Sequence, residues 1–211
     1  MSADDLVDAW VERFLDWIDV NSDYLTDLDR KAGDGDFGHN MSLAASRART
    51  FISDADQSAA ARFDALSRGF RSIGGSSGPL LGSWFRDFSR AFRDHDGVDA
   101  LCAAAANGLA SVQRLGNAQV GDRTMVDAMA PAAAAISASS GLGFGPALNA
   151  AAFEGARGAE ATSEMVGRRG RSSYMGDTVL KVPDPGAILV AAFFEAGRVT
   201  LDDGVAGSSG S

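Results

Sequence analysis

Residues 25–41, LTDLDRKAGDGDFGHNM, place three carboxylates, Asp29, Asp34 and Asp36, where a helix gives way to a glycine-rich turn. Leu25 and Leu28 recur at helical spacing, which puts Asp29 on the last turn of a short helix. Gly33 and Gly35 then let the backbone fold back, so all three acids can aim at one point. Three such groups repel unless a cation neutralises them, and an all-oxygen set suits Mg²⁺ or Ca²⁺. A metal site follows. The plain alternative is an Asp/Gly-rich helix-capping turn. Residues 33–38 satisfy GxGxxG, but a dinucleotide fingerprint follows a strand and keeps acids out of its loop. An EF-hand read from Asp34 needs glycine and glutamate where His39 and Ala45 stand. Phosphate can bind here only through the metal.

Other segments carry groups that a metal-bound nucleotide needs. GGSSG at 74–78 leads into a helix N-terminus, whose free N–H groups and dipole favour phosphate, or it is merely a helix stop and restart. It also fits GxSxG, but a nucleophile elbow needs a preceding strand and a histidine partner, and the chain has only His39 and His95. Arg168, Arg169 and Arg171 could clamp phosphate oxygens or form a solvated loop face. Asp184 before Pro185 reads first as an N-cap and second as a ligand for a nucleotide's polar atoms. Thr124 and Met125 open a helix where a hydroxyl and a thioether could border an adenine ring, though capping and core filling are their default readings. No Walker A sequence occurs.

The elements that must position these groups are helical. Leu6, Val7, Trp10, Phe14, Trp17 and Ile18 mark one face of a first helix over 3–20. The second ends near 29–32, the third spans about 40–53, the fourth about 58–73, and Pro79 lies in the first turn of the fifth. The sixth spans about 98–115 and closes on Gly116 and Asn117. The seventh starts near 122–124 and contains Pro131, the eighth runs from Pro146 to about Val166, and the ninth opens at Asp184 and Pro185. Two-residue alternation is almost absent, so the fold class is all-α, an antiparallel barrel or bundle of about eight helices. With short connections, every second loop falls at the same end. The loops after helices two, four, six and eight hold DGDFGHN, GGSSG, GNAQVGD and the long Arg-bearing segment, which implies one composite site at one mouth. One domain is expected over 1–197, with 198–211 a mobile tail.

Composition bounds the function. The formal net charge is -9 and the pI near 4.6, which argues against nucleic acid or an anionic membrane as partner. Of 19 basic residues only Lys31 and Lys181 are lysines, a bias that discounts the Arg-rich look of any one segment. Cys102 in LCAAAA reads as a small core residue. The acidic N-terminus and the lack of an apolar run near ~18 residues point to a cytoplasmic protein.

LTDLDRKAGDGDFGHNM, GGSSGPLLGSWF, GDRTMVDAMAPA and GRSSYMGDTVLKVPDPGA occur in one order, and through them the chain resembles the L subunit of dihydroxyacetone kinase over nearly its whole length. The resemblance implies an eight-helix barrel with ADP or ATP and two Mg²⁺ at one end. Asp29, Asp34 and Asp36 would hold the Mg²⁺. Gly38, His39 and Asn40 would line the nucleotide, and Ser76, Ser77 and Arg171 would reach phosphate. Gly116 and Met125 would border the base, and Asp184, Pro185 and Gly186 would close the adenosine side. Phosphoryl transfer needs mainly positioning and charge neutralisation, so no covalent nucleophile is required. Two letters depart from the family: Phe37 stands where a histidine is usual, with His39 two places on, and Arg123 replaces the lysine of GDKTM. The resemblance also implies a separate K subunit that holds the sugar, dihydroxyacetone or a short ketose such as erythrulose. The phosphoryl donor would be ATP or a phosphotransferase-system M subunit recharging bound ADP, and a stand-alone L subunit leans toward the second. Readings from other classes are a non-catalytic nucleotide-binding regulator and a plain Ca²⁺-binding helical module.

Overall fold

The computed structural model describes residues 2–53, 56–175 and 181–208, the side chains of Arg171, Met175 and 205–208 excepted. The described residues form nine α-helices and no β-strand element: α1 (Ala3–Val20), α2 (Ser22–Arg30), α3 (Phe37–Ser53), α4 (Ala59–Arg71), α5 (Ser77–Asp94), α6 (Gly97–Gly116), α7 (Val126–Ser139), α8 (Phe144–Ala161) and α9 (Pro185–Ser208). From α3 onward each helix packs against its successor, and α1 closes the ring against α9, α3 and α4, with α2 packed mainly on α3. Eight helices therefore form the barrel and α2 is a short spur, in line with the all-α expectation.

Local sequence sets the helix ends. Ser2 and Asp5 form a reciprocal capping box on α1. Ser58 Oγ accepts from Ala61 N at the start of α4, while Asp4 of α1 accepts from Ala59 N at 2.7 Å and so ties the two helices together. Asn117, left-handed at φ 47°, ends α6, and Ala118 N then donates back to Gln113 O at 3.2 Å. Inside the barrel, Trp10, Phe14, Phe63, Phe70, Trp84, Phe85, Phe88 and Phe193 form one aromatic cluster of edge-on and tilted contacts, with Phe14 and Phe70 stacked. Trp10 Nε1 donates to Phe193 O at 2.6 Å, so the polar edge of the ring is satisfied within the core.

Three boundaries differ from the sequence expectation. Helix α3 begins at Phe37 rather than near Asn40, because Asp36 O already accepts from Asn40 N and a carboxylate oxygen of Asp29 accepts from Phe37 N. Helix α7 begins at Val126, since Arg123 is left-handed at φ 60° and cannot continue a right-handed helix. Helix α9 continues past Gly197 to Ser208, whereas the sequence pattern ends it near Gly197, and 209–211 of the expected tail lie outside the described residues. Thr200 there is buried, donates to Ala196 O and accepts from Arg13 Nε, and Arg13 also pairs with Asp203, so polar bonds hold a stretch with little apolar content.

Candidate functional site

A cavity of 580 Å³ opens at one end of the barrel, within the size range of small-molecule sites. Its walls come from the four connections singled out by parity: the α2–α3 turn, the α4–α5 turn, the α6–α7 loop and the segment that opens α9.

Asp29, Asp34 and Asp36 form the first wall, and one oxygen from each lies within 4.8 Å of the others. The turn that gathers them is made possible by Gly35, whose φ of 75° suits glycine. Asp29 Oδ2 accepts from Phe37 N at 3.1 Å and so caps α3 from the end of α2. Its carboxyl is nevertheless pushed above the ordinary range, first by burial and then by the charges of Asp34 and Asp36, against which the Phe37 bond works. A divalent cation would relieve both the crowding and the burial cost, and an all-carboxylate donor set fits a hard ion such as Mg²⁺.

Helix α5 points its first turn at the same space. Ser76, Ser77, Gly78 and Pro79 line the cavity, and Ser76 makes no side-chain cap bond to the helix, whose N-terminal end thus borders the cavity. The floor is apolar, built from Leu80, Val112, Leu115, Met125 and Pro185. The α6–α7 loop is pinned by Asp127, whose two carboxylate oxygens accept from Gly121 N and Thr124 N, and by Asp122, which accepts from Gln119 N. Thr124 Oγ1 accepts from the N–H of Val126, the first residue of α7, whose N-cap position is held by Met125. On the far wall Asp184 is the N-cap of α9, its Oδ2 accepting from Ala187 N at 2.9 Å while its own N–H donates to Thr162 Oγ1 at 2.7 Å. Burial raises the Asp184 carboxyl to about 6; its bond from Ala187 N and the charge of Arg123 resist the rise, and Asp127 adds to it.

Most sequence candidates meet here. Asp29, Asp34, Asp36, Asn40, Ser76, Ser77, Gly116, Thr124, Met125, Asp184, Pro185 and Gly186 all line the cavity. Gly38 and His39 are not among the lining residues. With α3 starting at Phe37, the helical spacing turns Phe37, Asn40 and Met41 toward the cavity, Gly38 toward α2 and His39 to solvent. A Cβ at Gly38 would stand 1.9 Å from Ser22 O, so glycine there serves the approach of two helices. Arg169 lines the cavity and pairs with Asp122 at 3.3 Å, Arg168 is exposed and outside it, and the side chain of Arg171 lies outside the described residues. Sequence reasoning missed the floor residues Leu80, Val112 and Leu115 and the loop anchor Asp127. The spacing of Thr124 to Asp127, a side-chain cap pattern, was the available signal for the last.

Residues 31–198 match the DAK2 domain. The chain belongs to the DAK2 domain family. It is 37% identical over 198 residues to L-erythrulose 1-kinase of Mycolicibacterium smegmatis, covering 89% of this chain and 34% of that protein. It is 33% identical over 188 residues to the PEP-dependent dihydroxyacetone kinase, ADP-binding subunit DhaL, of Escherichia coli, covering 86% of this chain and 89% of that one. The crystal structure of the dihydroxyacetone kinase of C. freundii superposes with a TM-score of 0.71 at 30% identity, over 94% of this chain and 35% of that one. The same kinase in complex with AMP-PNP and Mg²⁺ gives a TM-score of 0.70. The chain thus spans about a third of the length of several relatives, and nearly all of the DhaL subunit.

Proposed function

We propose that this DAK2 domain binds ADP or ATP with Mg²⁺ and serves as the nucleotide half of a kinase whose acceptor, dihydroxyacetone or a related short ketose such as erythrulose, is held on a separate K subunit. The observation that carries the reading is the triad of Asp29, Asp34 and Asp36 on one wall of a cavity that also contains the N-terminus of α5 and an apolar floor. Those three parts match the three parts of a metal-bound nucleotide: carboxylates for the cation, N–H groups and serine hydroxyls for phosphate oxygens, and Leu80, Val112, Leu115 and Met125 for a base.

Within this reading Asp29, Asp34 and Asp36 would hold Mg²⁺, which when bound would neutralise phosphate charge. The first turn of α5 and Ser76 and Ser77 orient the phosphates, and Arg171 is a candidate for the same task. Asn40 borders the polar wall, Gly116 the base, and Asp184 to Gly186 close the nucleoside side. The donor is either free ATP or a phosphotransferase-system M subunit that recharges bound ADP. The relatives named an ADP-binding subunit and an erythrulose kinase support the nucleotide and the acceptor class respectively. The chain contains no helix long and apolar enough to cross a membrane among its described residues.

Calorimetric titration with ADP and with ATP, each with and without Mg²⁺, tests this on the wild type and Asp34→Asn. Mg²⁺-dependent binding that disappears in the variant is expected, and a strong preference for ADP favours the phosphotransferase-fed donor. No binding of either nucleotide to the wild type would refute the kinase reading, leaving a regulator or a calcium module.

A further inference from the structure

Arg123 is closed off from bulk solvent although it lines the cavity, yet pairing does not explain its burial. Its Nη2 donates to Val182 O at 2.8 Å, while Nε and Nη1 are buried without a hydrogen-bond partner among the described residues. Among the described residues no carboxylate lies within ion-pair distance of it, and Asp184 acts on it only as a nearby charge. Its backbone is left-handed, a conformation that glycine would adopt freely. A residue kept only to fill space would be an apolar one, because a buried guanidinium with spare donors is a poor stabiliser.

Its position suggests another reason. The loop that carries it is fixed on both sides, by Asp127 through Gly121 N and Thr124 N and by Asp122 through Gln119 N. From that rigid base the side chain reaches a segment 59 residues away, just before the cavity-lining run Asp184 to Gly186. Gly186 in turn packs close to Met125, since a Cβ on it would lie 3.3 Å from Met125 Cε. One rigid loop therefore grips the wall that faces it across one side of the cavity.

We infer that Arg123 is a positioning residue for the nucleotide: its guanidinium latches Val182 and thereby sets Asp184, Pro185 and Gly186 against Met125 in the geometry the ligand meets. This rests on the nucleotide reading above. The residue acts through the wall it holds, so its contribution appears in affinity and local order rather than in global stability.

The test uses Arg123→Met and Arg123→Lys with three readouts: thermal midpoint, Mg²⁺–ADP affinity by calorimetry from pH 5.5 to 8, and hydrogen exchange of the ligand-free amides at 181–188. Arg123→Met is expected to melt at or above the wild-type temperature, to bind at least tenfold more weakly, and to exchange faster at 181–188 alone. The inflection due to Asp184 moves to higher pH, because the positive charge that favours its ionised form is gone while Asp127 remains. Arg123→Lys restores the pH profile, since it keeps the charge. Wild-type affinity in Arg123→Met, or a lowered midpoint with faster exchange throughout the chain, overturns the proposal. Should the wild type bind neither nucleotide, the nucleotide reading fails by itself, and unchanged protection at 181–188 in Arg123→Met then overturns the latch separately.

Discussion

Gly38→Ala tests how tightly the fold and the acidic triad are joined. A Cβ at this position would stand 1.9 Å from Ser22 O, 2.3 Å from Thr26 Oγ1 and 2.8 Å from Thr26 N. Close carbon–oxygen contacts in proteins lie near ~3.3 Å, so α2 and α3 must separate by roughly 1.4 Å to admit the methyl. Two of the three obstacles are backbone atoms, which cannot swing aside as a long side chain can. Overpacking of this kind costs about 1–3 kcal/mol, part of which the better helix propensity of alanine offsets. For a chain of this length, a loss of about 2 kcal/mol lowers the thermal midpoint by roughly 4–8 °C. The effect on the site should be larger. Asp29 sits on α2, whereas Asp36 leads directly into α3, so separating the helices opens the triad along its own span. Displacements near ~1 Å can cost on the order of 100-fold where geometry is demanding, and Mg²⁺ tolerates distorted ligands poorly. The assay pairs a thermal melt with Mg²⁺-dependent ADP titration, using Gly141→Ala as control because a Cβ there meets nothing within 4 Å. A Gly38→Ala protein that melts within ~1 °C of that control and keeps its affinity would refute the coupling.

Two further outcomes follow from the site. Mg²⁺ with ADP at about a hundredfold over Kd should stabilise the protein by about 2.7 kcal/mol, and EDTA should abolish the gain in a calorimetric melt. Asp184 has a folded-state carboxyl raised from 3.8 to about 6, so between those values the native state holds more protons than the unfolded state, and stability falls as pH rises through the window. The side chain keeps some contact with solvent through the cavity, which reduces the full effect to about 2 kcal/mol. Asp184→Asn, which preserves the N-cap, should therefore be more stable than wild type by that amount at pH 7.5 and equal to it below pH ~4, measured by urea unfolding.

Long-range arrangement was legible in the sequence because short connections between strongly periodic helices leave little choice of topology. Counting helices was enough to bring residues 29–41, 74–80, 112–125 and 184–186 to one end. The count tolerated an error of character: the second helix is a spur and not a barrel member, but its last turn still delivers Asp29 to the mouth. Single-residue orientation was less legible. Moving the start of α3 from Asn40 to Phe37 rotates which side chains face the cavity, and the cause is a carboxylate eight residues upstream that no local pattern announces. Arg123 was visible only as an unusual letter, since its left-handed backbone depends on the bonds that Asp127 makes around it. The helical continuation beyond Gly197 depends likewise on Arg13, far away in the sequence.

The cap that Asp29 places on α3 bears on which cation the triad would select. With Oδ2 already accepting from Phe37 N, and Oδ1 beside Gly33, where a Cβ would approach it to 2.5 Å, the Asp29 carboxylate has little freedom to rotate into two-point contact. Calcium fills a shell of 6–8 oxygens and gains from carboxylates that swing to two-point contact, whereas magnesium takes six at shorter range and is content with single oxygens, water and phosphate. A carboxylate clamped in this way would discriminate by denticity, and would favour the smaller ion through the folding of a helix rather than through any extra ligand.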